Sequence, residues 1–263
     1  ASDVYKRQIQ GIQVRRIGLL ILFDLIYRIT DIQREKIMIG LITGAGRGLG
    51  YELAKKGLEL GCEIIGTCRK MNGSLQGLKA EFGDKLQLLF MDVTQEEQVK
   101  KAAEELSAAK GQIDFLIHCA GVLFESKYDT GDPVSEMDIS LFRKTLDVNV
   151  TGEAVVLKYF IPFLYASQAP CIISITSEAG NLNGGGYHYL AYSVSKYAQN
   201  MLTQKVKNYL EEIRPENHFR IYMIHPGRMD TLMGAENARI TAAESAEGIY
   251  RILREGTEPV SYT

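Results

Sequence analysis

From Ile37 onward the chain alternates short apolar runs with longer amphipathic stretches. The runs are Ile37–Ile42, Cys62–Thr67, Leu86–Met91, Ile113–His118, Cys171–Thr176 and Phe219–His225. Each has the length of a strand and is largely apolar, as a strand covered by helices on both faces must be. Between them, Leu49, Leu53, Ala54 and Leu58 are spaced for one face of a helix, and residues 74–82 read as a short helix. Thr94, followed by Glu97, reads as a capping box opening a helix over 95–110 that Gly111 ends. A long helix is expected over about 138–166, with Pro162 kinking or ending it. Further helices are expected from Tyr192 to about Ile213 and over 241–255, and Pro259–Thr263 reads as the start of a seventh, truncated strand. Strands alternating with helices predict an α/β fold, a doubly wound parallel sheet whose ligand crevice lies at the carboxyl ends of the strands. No repeat or low-complexity linker interrupts 38–263, so a single domain is expected there.

Residues 1–37 do not share this rhythm. Ile17–Tyr27 is apolar, but it falls short of the ~20 residues a spanning helix needs and carries Asp24. No small-residue cleavage site follows it. Three readings stand: a membrane or signal segment, an extra docked helix, or sequence upstream of a natural start at Met38, the first methionine. The third is preferred, which makes 1–37 an extension outside the core.

Composition adds exclusions. The 263 residues are 46% hydrophobic and 24% charged, ordinary for a globular protein. The net charge of −2 gives no bulk attraction to nucleic acid or to an anionic membrane. Cys62, Cys68, Cys119 and Cys171 have no C-x-x-C spacing and lie in or beside apolar runs, which suits reduced thiols of a cytoplasmic protein. The four histidines form no H-x-x-x-H pair, so no metal site is expected.

The sharpest local signal is Thr43-Gly44-Ala45-Gly46-Arg47-Gly48-Leu49-Gly50, between the first strand and its helix. Glycines let backbone approach a pyrophosphate, and the first N–H groups of the helix face its charge. The strict G-x-G-x-x-G pattern and a P-loop both fail; T-G-x-x-x-G-x-G fits. The second strand ends in Cys68-Arg69-Lys70 with no carboxylate, so Arg69, with Arg47, suits the 2′-phosphate of NADP(H) rather than the ribose hydroxyl of NAD(H). Asp92-Val93 ends the third strand, where the carboxylate either contacts adenine or caps the next turn. Ala120-Gly121 after the fourth strand lets backbone pass close to a flat ring or ribose.

The second half carries candidate chemistry. Asn149 lies among apolar neighbours in the expected long helix, either as a satisfied core amide or as a group holding a water. Ser177 ends the fifth strand, and a glycine-rich loop over 178–191 follows. Tyr192 and Lys196 stand at i and i+4 on one helical face. A phenol titrates near pH 10, and a nearby ammonium favours its phenolate. Pro226-Gly227 follows the sixth strand, with Thr231 placed to bond a carboxamide.

Together these residues resemble the short-chain dehydrogenase/reductase family over essentially all of 38–263. The resemblance implies a Rossmann-like sheet, a cofactor loop at Thr43–Gly50, an adenine contact at Asp92-Val93, and a nicotinamide-side loop at Pro226, Gly227 and Thr231. It implies a catalytic set of Asn149, Ser177, Tyr192 and Lys196. In that set Ser177 polarises a carbonyl, Tyr192 donates the proton, Lys196 lowers the tyrosine's pKa and bonds the nicotinamide ribose, and Asn149 holds a water. Gly66-Thr67-Cys68-Arg69 and His225-Pro226-Gly227 look most like the NADP-dependent branch that includes the C-factor and sniffer-type carbonyl reductases. His118-Cys119 departs from the usual Asn-Asn before Ala-Gly and removes contacts that brace the central strands. Family members often form homodimers or homotetramers.

The expected function is hydride transfer between NADPH and a small carbonyl or alcohol substrate, with no nucleic-acid or membrane partner. A non-catalytic NADP(H)-binding regulator on the same fold is the alternative. A sugar-nucleotide epimerase would need a substrate domain after Thr231, where about thirty residues remain. Residues 122–137, 178–191 and 228–240 are expected to line the substrate site.

Overall fold

The computed structural model describes residues 37–125, 131–183, 186–231, 233 and 238–256. The chain divides into two units, Ala1–Ile37 and Met38–Thr263, and all the described residues except Ile37 belong to the second. The readings of residues 1–36, of the glycines at 184–185 and of a seventh strand from Pro259 lie outside the described residues.

Six strands are formed: β1 (Ile39–Ile42), β2 (Glu63–Cys68), β3 (Leu86–Phe90), β4 (Phe115–His118), β5 (Cys171–Ile175) and β6 (Arg220–Ile224). They make one sheet in the order β3-β2-β1-β4-β5-β6, with every pairing parallel. The helices are α1 (Gly48–Glu59), α2 (Gly73–Phe82), α3 (Glu96–Ala109), α4 (Ile139–Leu146), α5 (Gly152–Phe160), α6 (Leu190–Ile213) and α7 (Ala242–Glu255). This is the doubly wound, Rossmann-like architecture.

Alternate residues of a strand face opposite sides of a sheet. In β5, Cys171, Ile173 and Ile175 pack with Leu53 of α1 and Tyr250 of α7. Ile172 points the other way, to Val99 of α3, Phe160 of α5 and Leu210 of α6. Two apolar layers therefore sandwich the sheet, and the central strands are buried on both faces.

The order of strands reverses at β1, which pairs with β2 on one side and β4 on the other. Consecutive connections leave in opposite directions there, and a crevice opens at the carboxyl ends. Thr43 closes the seam below it. Its N–H bonds the Ile117 carbonyl at 3.0 Å, and its Oγ1 accepts from the N–H groups of Cys119 and Ala120, each at 3.0 Å.

Two sequence expectations need correction. The stretch over 138–166 is not one helix: α4 ends at Leu146, a π turn covers Asp147–Thr151, α5 follows, and Ile161–Leu164 is a 3₁₀ turn containing Pro162. The wide turn sets Asn149 at the sheet side, fully buried. The Thr94 capping box does not form either. Asp92 Oδ1 takes the Thr94 N–H and hydroxyl, at 3.0 and 2.8 Å, and α3 starts at Glu96 with no side-chain cap. Glu96 and Glu97 in its first turn instead face the positive helix end.

Candidate active site

A cleft of about 2470 Å³ runs along the strand ends. Of the residues singled out from the sequence, all but Thr43 and Asn149 line it. Those two are fully buried behind its wall.

The glycine turn forms one end. Gly44 and Gly48 adopt left-handed backbone, φ 72° and 54°, which a side chain would strain. A Cβ on Gly50 would overlap the Gly44 carbonyl, so the turn can only fold this tightly with glycine there. Leu49 is buried and anchors the turn in the core. The N-cap residue of α1, Arg47, makes no side-chain cap, and no acid sits in the first turn. An open glycine cradle at an uncapped helix N-terminus fits a dinucleotide pyrophosphate. Asn72, which the sequence reading missed, braces the cradle: Nδ2 donates to the Gly46 carbonyl at 2.7 Å, and Oδ1 caps α2 at Leu75 N, 2.9 Å.

Arg47 and Arg69 are exposed on this end of the cleft. Arg69 Nη1 lies 4.0 Å from Asp92 Oδ2, while Oδ1 of the same carboxylate caps Thr94. The turn-capping reading of Asp92 is realised through Oδ1. Val93 is buried beside it and fills the space over Gly152. Ala120 and Gly121 run across the cleft floor; Gly121 sits against Asn149 Oδ1 and Lys196 Nζ. Pro226 and Gly227 line the far side, with the Pro226 carbonyl held by Ser245 Oγ at 2.7 Å. Thr231 reaches back to the glycine turn, its methyl 3.7 Å from where a Cβ of Gly48 would lie.

Ser177, Tyr192 and Lys196 meet at the centre of the cleft. Ser177 Oγ accepts from Ala179 N at 3.2 Å, and its hydroxyl bonds the Tyr192 phenol. Gly180 then passes so close to α6 that a Cβ would sit 2.9 Å from the Lys196 carbonyl carbon, drawing the Ser177 loop onto the catalytic helix. Lys196 is buried, and its Nζ donates to the Ile175 carbonyl at 2.9 Å and to Gln199 Oε1 at 2.8 Å. It lies 5.6 Å from the centre of the Tyr192 ring.

The electrostatics correct one expectation. Burial pushes the Tyr192 phenol up, and a hydrogen bond from the Ser177 hydroxyl pulls it part of the way back. The phenol stands above its ordinary value because burial outweighs the Ser177 hydrogen bond, while the Lys196 donors go to Ile175 and Gln199. Burial likewise drives the Lys196 ammonium down, opposed by the charge of Glu153. Glu153 is fully buried; burial pushes its carboxyl up, against hydrogen bonds from Ser174 and Gln199 and the charge of Lys196. No periodicity marked Glu153, Ser174 or Gln199 in the sequence. Gln199 stands three residues after Lys196, which was the available signal.

The side-chain amide of Asn149 is satisfied within the core. Nδ2 donates to the Val122 carbonyl and to Ser195 Oγ, both at 2.9 Å, and Oδ1 accepts from Val122 N at 2.8 Å.

A profile of the short chain dehydrogenase family matches residues 38–241. A short chain dehydrogenase of Aspergillus terreus is 29% identical over 209 residues, 73% of this chain. The chain spans 64% of that relative's length, just under two thirds. The benzil reductase ((S)-benzoin forming) of Saccharomyces cerevisiae is 32% identical over 197 residues, covering 73% of this chain and 72% of the relative. The structure of a short-chain dehydrogenase/reductase from Burkholderia multivorans with bound NADP superposes with a TM-score of 0.72 at 24% identity, over 82% of this chain and 90% of that one. On a family match that runs from the first strand past the sixth, the chain belongs to the short chain dehydrogenase family.

Proposed function

We propose that the chain is an NADP(H)-dependent carbonyl reductase, similar to the C-factor and sniffer-type branch. The observation that carries this reading is the convergence of Ser177, Tyr192 and Lys196 at the centre of a strand-end cleft whose other end is an uncapped glycine cradle. A reduced nicotinamide dinucleotide in the cleft would supply the hydride. The glycine turn would hold its pyrophosphate, Arg47 and Arg69 its 2′-phosphate, and Thr231 with Pro226-Gly227 its nicotinamide end. The absence of a carboxylate after β2 and the NADP held by the Burkholderia multivorans structure support NADP over NAD.

At the reacting centre the Ser177 hydroxyl donates to the substrate carbonyl oxygen. As the carbon accepts hydride, negative charge gathers on that oxygen, and Tyr192 gives it the phenolic proton. A phenol holds this proton at neutral pH, ready for transfer to the oxygen. The buried Lys196 ammonium stabilises the phenolate that results. The non-catalytic alternative does not need a serine and a tyrosine aimed at one point of the cleft. The benzil reductase relative suggests the first substrate to try.

The test is NADPH oxidation with benzil, followed by absorbance, against NADH. Turnover is expected with NADPH, with Tyr192→Phe lowering it at least ~100-fold. Arg69→Ala is expected to weaken NADPH affinity about tenfold and leave NADH affinity unchanged. NADPH binding without turnover of any carbonyl or alcohol would favour the regulator.

A further inference from the structure

Helix α6, which presents Tyr192, begins under strain. Its N-cap position is Tyr189, held in left-handed backbone at φ 62°, ψ 49°, with no side-chain cap. Bulky side chains avoid this region, and such strain persists where surrounding contacts over-determine it. The cap comes from far away in sequence. Glu125, on the segment after β4, accepts from Ala191 N through Oε1 and from Tyr192 N through Oε2, each at 2.8 Å. Both carboxylate oxygens are used, and the negative charge lies at the positive end of the helix.

The same segment is gripped at its start. Asn149 bonds both the N–H and the carbonyl of Val122, and its second amide proton goes to Ser195 Oγ. Ser195 Oγ in turn donates to the Tyr192 carbonyl at 2.7 Å. The bonds close a ring: Tyr192 N–H to Glu125, along the chain to Val122, across Asn149 to Ser195, and back to the Tyr192 carbonyl. Lys196 is outside it, fixed by Ile175 and Gln199. Phe124 and Glu125 also line the cleft, so the ring includes its wall.

We propose that Glu125 is a positioning residue for proton transfer, clamping the peptide of Tyr192 to the wall segment that Asn149 holds from the other end. The proposal rests on the reading of Tyr192 as the proton donor. Without the carboxylate, the ring opens at two bonds and the strained first turn is free to unwind toward Tyr189. The phenol hydroxyl then drifts, while Lys196 and the glycine cradle stay in place. A displacement of about 1 Å at a reacting group can cost ~100-fold in rate.

Glu125→Ala and Glu125→Gln test this in the full chain, with benzil and NADPH as the probes. Glu125→Ala is expected to lower kcat tenfold or more, with KM and NADPH Kd within twofold of the parent. Glu125→Gln, which keeps one acceptor, is expected to fall between them. Amide hydrogen exchange at Tyr192 is expected to speed up at least tenfold in Glu125→Ala, with the core strands still protected. An unchanged kcat overturns the proposal, as does a loss of activity matched by equal loss of NADPH binding. If the parent reduces no carbonyl, the reductase reading fails, and exchange alone judges the clamp. In that case faster exchange at Tyr192 with NADPH binding intact upholds it, and unchanged exchange overturns it.

Discussion

His118 stands where the family pattern has asparagine, and its imidazole takes over part of the bracing. With two backbone N–H groups donating to Thr43 Oγ1, the threonine proton is left for His118 Nδ1, 3.2 Å away. That assigns the remaining proton to Nε2, which is buried without a partner. A buried unpaired N–H costs about 1–3 kcal/mol. The imidazole is also held neutral: burial and the charge of Lys196 lower its pKa from 6.5 to about 3. The unfolded chain therefore binds a proton near pH 6.5 that the folded chain refuses until about pH 3. Stability is complete above pH 6.5 and drains away as the pH falls through this window, by roughly 3 kcal/mol at pH 4. His118→Asn should flatten that slope. Denaturant unfolding at pH 7 and pH 4 checks it, and equal losses in both proteins would count against a buried neutral imidazole.

Among the elements, α7 packs onto α1 at Gly57 through Tyr250. A Cβ there would overlap the hydroxyl of Tyr250, which is fully buried and has no hydrogen-bond partner. Alanine favours a helix over glycine by up to about 1 kcal/mol, but overpacking here should win, and Gly57→Ala is expected to cost about 1–3 kcal/mol. Tyr250→Phe removes the nearest obstructing atom but leaves Ile64 Cδ1 and the ring carbon in place, so it should recover only part of that loss. A double-mutant cycle by thermal unfolding measures the coupling, and strict additivity would refute the contact. The elements themselves were mostly legible, because apolar runs of strand length need only local pattern. Tyr192 and Lys196 were legible for the same reason, being four apart on a helix. The break at Asp147–Thr151 was not: Val148, Val150 and their neighbours read as continuous helix, and the π turn goes with long-range bonds from Asn149 to Val122 and Ser195. Glu125 was invisible because its partners lie 66 and 67 residues away, and a loop glutamate has no sequence signal for capping a distant helix.

For the whole molecule, the parallel sheet was readable from alternation alone, and the corner where β1 meets β4 sets where ligands enter. That seam joins Thr43 to residues 75 to 77 positions later. Every other neighbouring pair in the sheet is consecutive in the chain. Closing the seam is a long-range event, like the docking of α7 on α1, and long-range pairing is slow. The cleft takes its two walls from opposite halves, with Gly44 and Arg69 on one and Ser177 and Tyr192 on the other. Before the seam shuts, there is no site. NADPH at a hundred times its Kd should stabilise the folded chain by about 2.7 kcal/mol. Almost all of that gain should appear as ~100-fold slower unfolding, with refolding as fast as in its absence. Stopped-flow refolding and unfolding with and without NADPH would show it, and faster refolding would mean the halves meet around the nucleotide. The switch point that gives the fold its binding crevice thus also makes the ligand a lock on the finished protein and not a template for its assembly.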